Sequence, residues 1–212
     1  MIGIIDYGMG NLFSVSKALE RLGAPYFISD KREELLKADG LILPGVGSFK
    51  DAMELLNRLE LTNMIKDYVE LGKPLLGICL GMQLLFDESE ENGLTKGLQL
   101  LPGSVKRFPG VTAEGTQYKV PHMGWNSLRL VQSSPILQSI EEGYVYFVHS
   151  YYVETGDQEV VIAECSYDVK VPAVVGRGNV FGMQFHPEKS GALGMKLLGN
   201  FTEIVREGMT GI

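Results

Sequence analysis

The 212-residue sequence is sparing with the residues that usually announce chemistry, having only two cysteines, three histidines and one tryptophan. Cys79 and Cys165, with no secretory context, give no disulfide framework and are read as reduced thiols. No CxxC pair or close histidine pair exists, so neither a metal site nor a cofactor is expected. The longest nearly uncharged apolar run, Leu75 to Phe86, falls well short of the roughly 20 residues that cross a bilayer. Basic residues are outnumbered, 19 Lys and Arg against 26 Asp and Glu, for a formal net charge of -7. That balance, with no basic cluster, argues against nucleic acid or an anionic membrane as a partner. The opening "MIGIIDYGMGNL" meets Asp6 before any long apolar segment and lacks the layout of a signal peptide. The mature chain is therefore expected to start at or near Met1, and the protein to be soluble and cytoplasmic.

Hydrophobic residues make up 45% of the chain and charged ones 21%, which suits one well-buried domain over 1–212. Glycine is plentiful, 26 of 212, about 12% against roughly 7% on average, and implies many tight loops with functional backbone. In the first half, short apolar runs alternate with helical patterns: "IGIID" then "NLFSVSKALERLG", "PYFIS" then "REELLKA", "GLILPG" then "SFKDAMELLNRLE", "PLLGICLG" then "MQLLF". This is the pattern of parallel strands with crossover helices. In the first helix, Leu12, Val15, Leu19 and Leu22 recur at helical spacing, with Asn11 as N-cap and Gly23 as stop. From Leu100 the runs become strand-like and closely spaced: "LLPGSVKRF", "NSLRLV", "YVYFVHSYYV", "EVVIAECSY", "VPAVVGRGNVFGMQF". A more antiparallel region is expected there, with Cys165 as a packed strand residue. Leu193, Leu197, Leu198, Phe201 and Val205 mark a terminal amphipathic helix.

Cys79 stands in "GICLG", where an apolar run turns into a helical pattern. The spacing suits a nucleophile elbow, a sharp strand-to-helix turn that exposes the reactive side chain between small neighbours. Unpaired amides at a helix N-terminus favour thiolate over thiol, and the Leu80 amide is placed to donate to an oxyanion. The same pattern also fits a buried cysteine in a glycine-rich strand end. A cysteine nucleophile needs a base, for which His122, His149 and His186 are the candidates. His186 ends an apolar run and is held extended by Pro187, so that Glu188 can point to its side. An imidazole beside an orienting carboxylate is what a triad requires. Taken alone, "FHPEKS" also reads as a strand ending in a turn with a capping acid.

Together "GICLGMQ" and "QFHPEKS" resemble the class I glutamine amidotransferase family, over essentially the whole chain. The resemblance implies an α/β, flavodoxin-like three-layer fold with a central mostly parallel sheet and additional antiparallel strands in the C-terminal half. It also implies a Cys79-His186-Glu188 triad that hydrolyses the side-chain amide of glutamine through a glutamyl thioester. "DYGMGNLFSV", "LPGVGSF", "PHMGWNSL", "VHSYYV" and the lysine in "HPEKS" are similar to the branch of the family that serves histidine biosynthesis. In that branch a separate (β/α)8-barrel cyclase subunit, forming a heterodimer with the glutaminase, receives ammonia through a channel. Ammonia free in water becomes ammonium and loses nucleophilicity, so the acceptor chemistry must lie close.

By resemblance, Gly45 and Gly47 flank a Val46 whose amide completes the oxyanion hole with that of Leu80 when the loop is active. Two glycines around one ordinary residue permit the peptide flip this needs, although any glycine-rich turn after a strand reads the same way. Gln83, one helical turn beyond Cys79, is placed to hold the glutamine substrate. Glu91 in "DESEE" suits the substrate ammonium, and main chain around His149, Ser150 and Tyr151 its carboxylate. A charge run is usually a solvated face, which is the other reading of Glu91. Asn11, Trp125, Tyr146 and Lys189 are expected at the partner interface, although Trp125 and Tyr146 also suit a core. "DYGMGN" lacks the third glycine of a dinucleotide loop. Rival expectations are a glutaminase for anthranilate or aminodeoxychorismate synthase, a free-standing gamma-glutamyl hydrolase, and a noncatalytic subunit on the same fold.

Overall fold

The computed structural model describes residues 1–208. The first half runs β1 (Ile2–Ile5), α1 (Leu12–Arg21), β2 (Tyr26–Ser29), α2 (Arg32–Leu35), β3 (Gly40–Gly45), α3 (Phe49–Arg58), α4 (Leu61–Glu70), β4 (Leu75–Cys79) and α5 (Leu80–Gln83). It continues with β5 (Glu88–Ser89), β6 (Thr95–Lys96), β7 (Ser104–Arg107), β8 (His122–Leu130), β9 (Gly143–His149) and β10 (Tyr151–Glu154). The chain closes with β11 (Val161–Tyr167), β12 (Val169–Arg177), β13 (Val180–Met183) and α6 (Gly191–Gly208). A nine-stranded sheet has the order β2-β1-β3-β4-β13-β12-β11-β8-β9, and a second sheet of four strands the order β10-β7-β5-β6.

The alternating pattern of the first half produces the parallel core as expected, because each strand buries both faces and needs a helix on each side. Ile2, Ile4, Ile42, Leu76 and Ile78 pack with Val15 and Leu19 of α1 and with Leu197, Leu198 and Phe201 of α6. Ile5, Leu41, Leu43 and Leu75 face the other way, onto Phe49, Met53 and Leu56 of α3 and Leu61, Met64 and Ile65 of α4. Three layers follow directly from this two-sided burial. The Asn11 side chain caps α1 by accepting from the Ser14 amide at 3.3 Å, and Gly23 takes a left-handed φ of 66° just past the helix end.

Four features depart from the sequence pattern. The fifth parallel strand is β13, from the C-terminal half; Met183 lies opposite Ile78 and Val180 opposite Leu75. "YVYFVHSYYV" is divided, β9 closing the large sheet and β10 entering the small one. The small sheet itself is not foreshadowed, since two of its strands have only two residues. The helical stretch after Cys79 shrinks to one turn, because carbonyls that would propagate it are engaged elsewhere: Leu84 O accepts from Leu98 N, Leu85 O from Leu100 N and Phe86 O from Gln99 N. With so short a helix, the backbone amides at Leu80 matter more than any macrodipole.

Phe201 on α6 is fully buried. Phe201→Ala is expected to cost about 3–5 kcal/mol, read from urea unfolding midpoints at constant slope.

Candidate active site

Strands β3, β4 and β13 are adjacent and parallel, so their C-terminal ends open on one edge of the sheet, where open α/β sheets bind ligands. Gly45 lies opposite Cys79 at the ends of β3 and β4, and the chain beyond β13 carries Gln184 to His186 past the same point. Cys79 adopts φ 56° and ψ −115°, a conformation that L residues rarely take. The expected elbow is present, and its neighbours show why glycine surrounds it. A Cβ on Gly81 would overlap the Leu43 carbonyl, and one on Gly77 would run into Gly81.

His186 is extended, with φ −94° and ψ 100°, as Pro187 was expected to hold it. Its Nδ1 lies 2.9 Å from Glu188 Oε1, and it lines the same cavity as Cys79. Glu188 gets there through a 3-10 turn, Pro187–Lys189, rather than by the alternation of a strand. Burial pushes the His186 imidazolium down, but the hydrogen bonds to Cys79 and Glu188 and the charges of both outweigh it, so its pKa rises. Ser190 locks the turn to β9: its hydroxyl donates to His186 O at 2.7 Å and accepts from Tyr146 N at 2.9 Å. Cys79, His186 and Glu188 are thus brought to one edge of the sheet, where a nucleophile, a base and an orienting acid would have to stand.

A cavity of about 350 Å³ is lined by Cys79, Leu80 and His186 together with Val46 and Gly47. Gln83, Glu91, His149, Ser150 and Tyr151, the residues expected to hold glutamine, also line it. Gly45 does not; it is buried where a Cβ would strike Gly81 N and the Tyr7 hydroxyl. Its hydrogen side chain is demanded by packing rather than by contact with a ligand. Gly47, at φ 95°, supplies the loop's backbone freedom. Gln83 donates through Nε2 to Tyr151 O and to Gln184 Oε1, both at 3.0 Å, which leaves its Oε1 for a ligand.

The acidic stretch is not a solvated face. Asp87 accepts from Gly103 N, Glu90 from Arg107 N and Glu91 from Phe49 N, at 2.9, 2.8 and 2.9 Å. Burial raises the Glu91 pKa, helped by Asp51 and opposed by the Phe49 amide. Trp125 and Tyr146 are register partners on β8 and β9 and pack edge to face at 6.0 Å. Trp125 is 57% exposed and Tyr146 half-buried, which places both outside the core. Lys189 and Asn11 stand on elements that meet, since α1 packs on the 187–189 turn. Cys79 and Cys165 are free thiols, and burial pushes the Cys165 thiol up to about 12.

Sequence reasoning missed Tyr7, whose buried hydroxyl has no hydrogen-bond partner among the described residues and whose pKa is raised by burial and then by Cys79. It also missed Gln184, although its position two before His186 on an extended segment could have pointed to it. His122 entered only as one of three candidate bases, and Ser190 gave no local signal. No cluster that could hold a metal ion exists among the described residues, and no helix among them is long and apolar enough to cross a membrane.

His122 and His149 are buried, and desolvation lowers them from the usual 6.5 to about 4 and about 3. Below about pH 6.5 the unfolded chain takes up protons that the folded chain refuses, so stability present above that pH is lost as pH falls through the two lowered values. The urea midpoint is expected to fall between pH 7 and pH 4.5, and His122→Leu to reduce that fall; equal slopes would contradict the assignment.

A model of the family described as glutamine amidotransferase class-I matches residues 3–204. "Imidazole glycerol phosphate synthase subunit HisH" of Geobacillus kaustophilus is 70% identical over 96% of this chain and 97% of that protein. The proteins of the same name from Halalkalibacterium halodurans and Bacillus subtilis are 64% and 58% identical, over 99% and 98% of this chain and 98% of each. Among solved structures, a glutamine amidotransferase aligns with TM-score 0.75 at 23% identity, covering 97% of this chain and 98% of that one. PurLQS from Thermotoga maritima aligns with TM-score 0.72 at 22% identity, over 96% and 97%. At such identities these two speak for the fold alone.

Proposed function

The chain belongs to the class I glutamine amidotransferase family, and from that membership we propose that it is the glutaminase subunit of imidazole glycerol phosphate synthase in histidine biosynthesis. The observation that carries the proposal is one cavity lined by both Cys79 and His186, with His186 Nδ1 2.9 Å from Glu188 Oε1. A single glutaminase domain spans residues 1–212. Its compartment is the cytoplasm, which suits two free thiols.

In the reaction, Cys79 Sγ attacks the side-chain carbonyl carbon of glutamine, and the amides of Val46 and Leu80 receive the developing oxyanion. His186 returns the thiol's proton to the amide nitrogen, the C–N bond breaks and ammonia leaves, giving a glutamyl thioester. Water then attacks the same carbon, its proton passing to His186, and the C–S bond breaks to release glutamate and restore the thiol. Glu188 keeps the second ring proton on Nδ1 and stabilises the imidazolium throughout. Glu91 faces the substrate ammonium, while the backbone of His149, Ser150 and Tyr151 takes its carboxylate and Gln83 Oε1 and Gly47 complete the grip.

The partner is a (β/α)8-barrel cyclase subunit, joined as a heterodimer and supplied with ammonia through a channel. Asn11, Trp125, Tyr146 and Lys189 form the docking surface, with exposed Trp125 as its aromatic anchor. Occupancy of the cyclase shifts the Gly45-Val46-Gly47 loop so that the Val46 amide faces the cavity, a population shift worth several kcal/mol.

Glutamate release by the isolated chain is expected to be about a thousandfold below that of the complex with its nucleotide ligand. Cys79→Ala should abolish release in both. Equal activity with and without a cyclase would favour a free-standing hydrolase, and activation by a different synthase would reassign the partner. Trp125→Ala is expected to weaken the complex by about thirtyfold, measured by titration calorimetry, with the chain's own unfolding midpoint unchanged.

A further inference from the structure

Between β9 and β10 the chain leaves one sheet for the other, so the peptides from His149 to Tyr151 have no continuous ladder to fix them. The Ser150 carbonyl is held by Phe108 N at 3.1 Å. The Tyr151 carbonyl instead accepts from side chains, His149 Nδ1 at 2.7 Å and Gln83 Nε2 at 3.0 Å. Behind His149, its Nε2 lies 2.9 Å from His122 Nδ1, and His122 Nε2 lies 3.1 Å from Asn126 Nδ2.

The direction of every bond in this series is forced from both ends. A carbonyl only accepts, so His149 carries its proton on Nδ1 and leaves Nε2 as an acceptor. His122 must then donate through Nδ1, and its Nε2 must accept. Asn126 supplies that donor, because its own orientation is fixed by the backbone: Oδ1 accepts from Ser127 N at 2.8 Å and Nδ2 also donates to Ser166 O at 2.9 Å. The His122 ring is clamped between Phe147 and Tyr167, with centroids 4.6 and 4.0 Å away and both planes within 22°. It touches neither the cavity nor the triad.

We propose that His122 is a positioning residue: through His149 it holds the Tyr151 carbonyl in one orientation and so fixes the backbone that grips the amino-acid end of glutamine. The proposal rests on the glutaminase reading and deepens it. The Asn126-His122-His149 series takes the place of the sheet ladder where the ladder is interrupted. Removing the donor at 122 leaves His149 Nε2 buried without a partner and frees its ring, and with it the Tyr151 peptide.

The test compares His122→Leu with His122→Asn in the full chain bound to its cyclase, because Asn retains an N–H at the position of Nδ1. His122→Leu is expected to raise KM for glutamine about tenfold with kcat within about twofold, and His122→Asn to restore KM to within about threefold. Equal losses in the two variants, or a fall confined to kcat, would overturn the proposal. Should His122→Leu not fold, Asn126→Ala removes the outer donor at a half-exposed site; a KM raised about threefold supports the series and an unchanged KM overturns it. Nitrogen NMR of the wild-type chain, which has three histidines, should show His122 and His149 neutral and protonated on Nδ1 at pH 7. A proton on Nε2 of His149 would sink the proposal without reference to turnover. A wild-type complex that releases no glutamate would instead sink the glutaminase reading, while the tautomers stand or fall separately.

Discussion

Everything in the site depends on one strained residue, Cys79, held in a left-handed backbone where β4 ends. An isolated peptide would relax it, at a gain of about 1–3 kcal/mol. Here Gly81 lies against the Leu43 carbonyl and Gly77 against Gly81, so the turn has no alternative path that keeps β3 and β4 in register. The turn sets Cys79 and Leu80 side by side in the cavity lining. Neighbouring β13 then brings His186 across from the other half of the chain, a placement available only because it pairs with β4 in parallel.

A second constraint is the satisfaction of polar groups around that edge. Where the chain changes sheets or makes single turns, its amides and carbonyls lack ladder partners and are met by side chains. Asp87, Glu90 and Glu91 take up the amides of Gly103, Arg107 and Phe49, so a run that looks like charged surface is structural. Ser190 fastens the turn that carries Glu188, and Gln83 and His149 fasten Tyr151. These hydrogen bonds hold Cys79 and His186 in the lining of one cavity without the long helix that usually follows a nucleophile elbow.

The two faces of β8 divide the labour. Trp125 and Met123 point outward beside Tyr144 and Tyr146 of β9, whereas His122 and Leu128 point inward, as period-two alternation requires. An exposed aromatic and apolar face and a buried polar series are thereby carried by the same two strands. Lys189 stands just beyond, on the turn that also bears Glu188. The residues assigned to the partner and those assigned to glutamine are therefore neighbours in sequence and opposite in direction.

The sequence by itself determined the parallel framework, the elbow and the extended backbone of His186, because periodicity, glycine spacing and the Pro187 restriction are local effects. That Glu188 stands beside His186 was expected too, but it is a 3-10 turn that brings it there. Helical spacing pointed to Gln83, while Glu91 and the 149–151 backbone were suggested alongside the family resemblance; all of them line the cavity. Only the tertiary structure decided that "NVFGMQF" supplies the fifth parallel strand, that the turn after Cys79 stops after four residues, that Gly45 is packed out of the cavity, and that His122 stands behind His149. Each of these rests on contacts between segments far apart in the chain, where a strand partner, a captured carbonyl or a clamped ring is chosen by distant residues. Local spacing carries no record of such choices, since the free energy that settles them is gained only when the sheet closes.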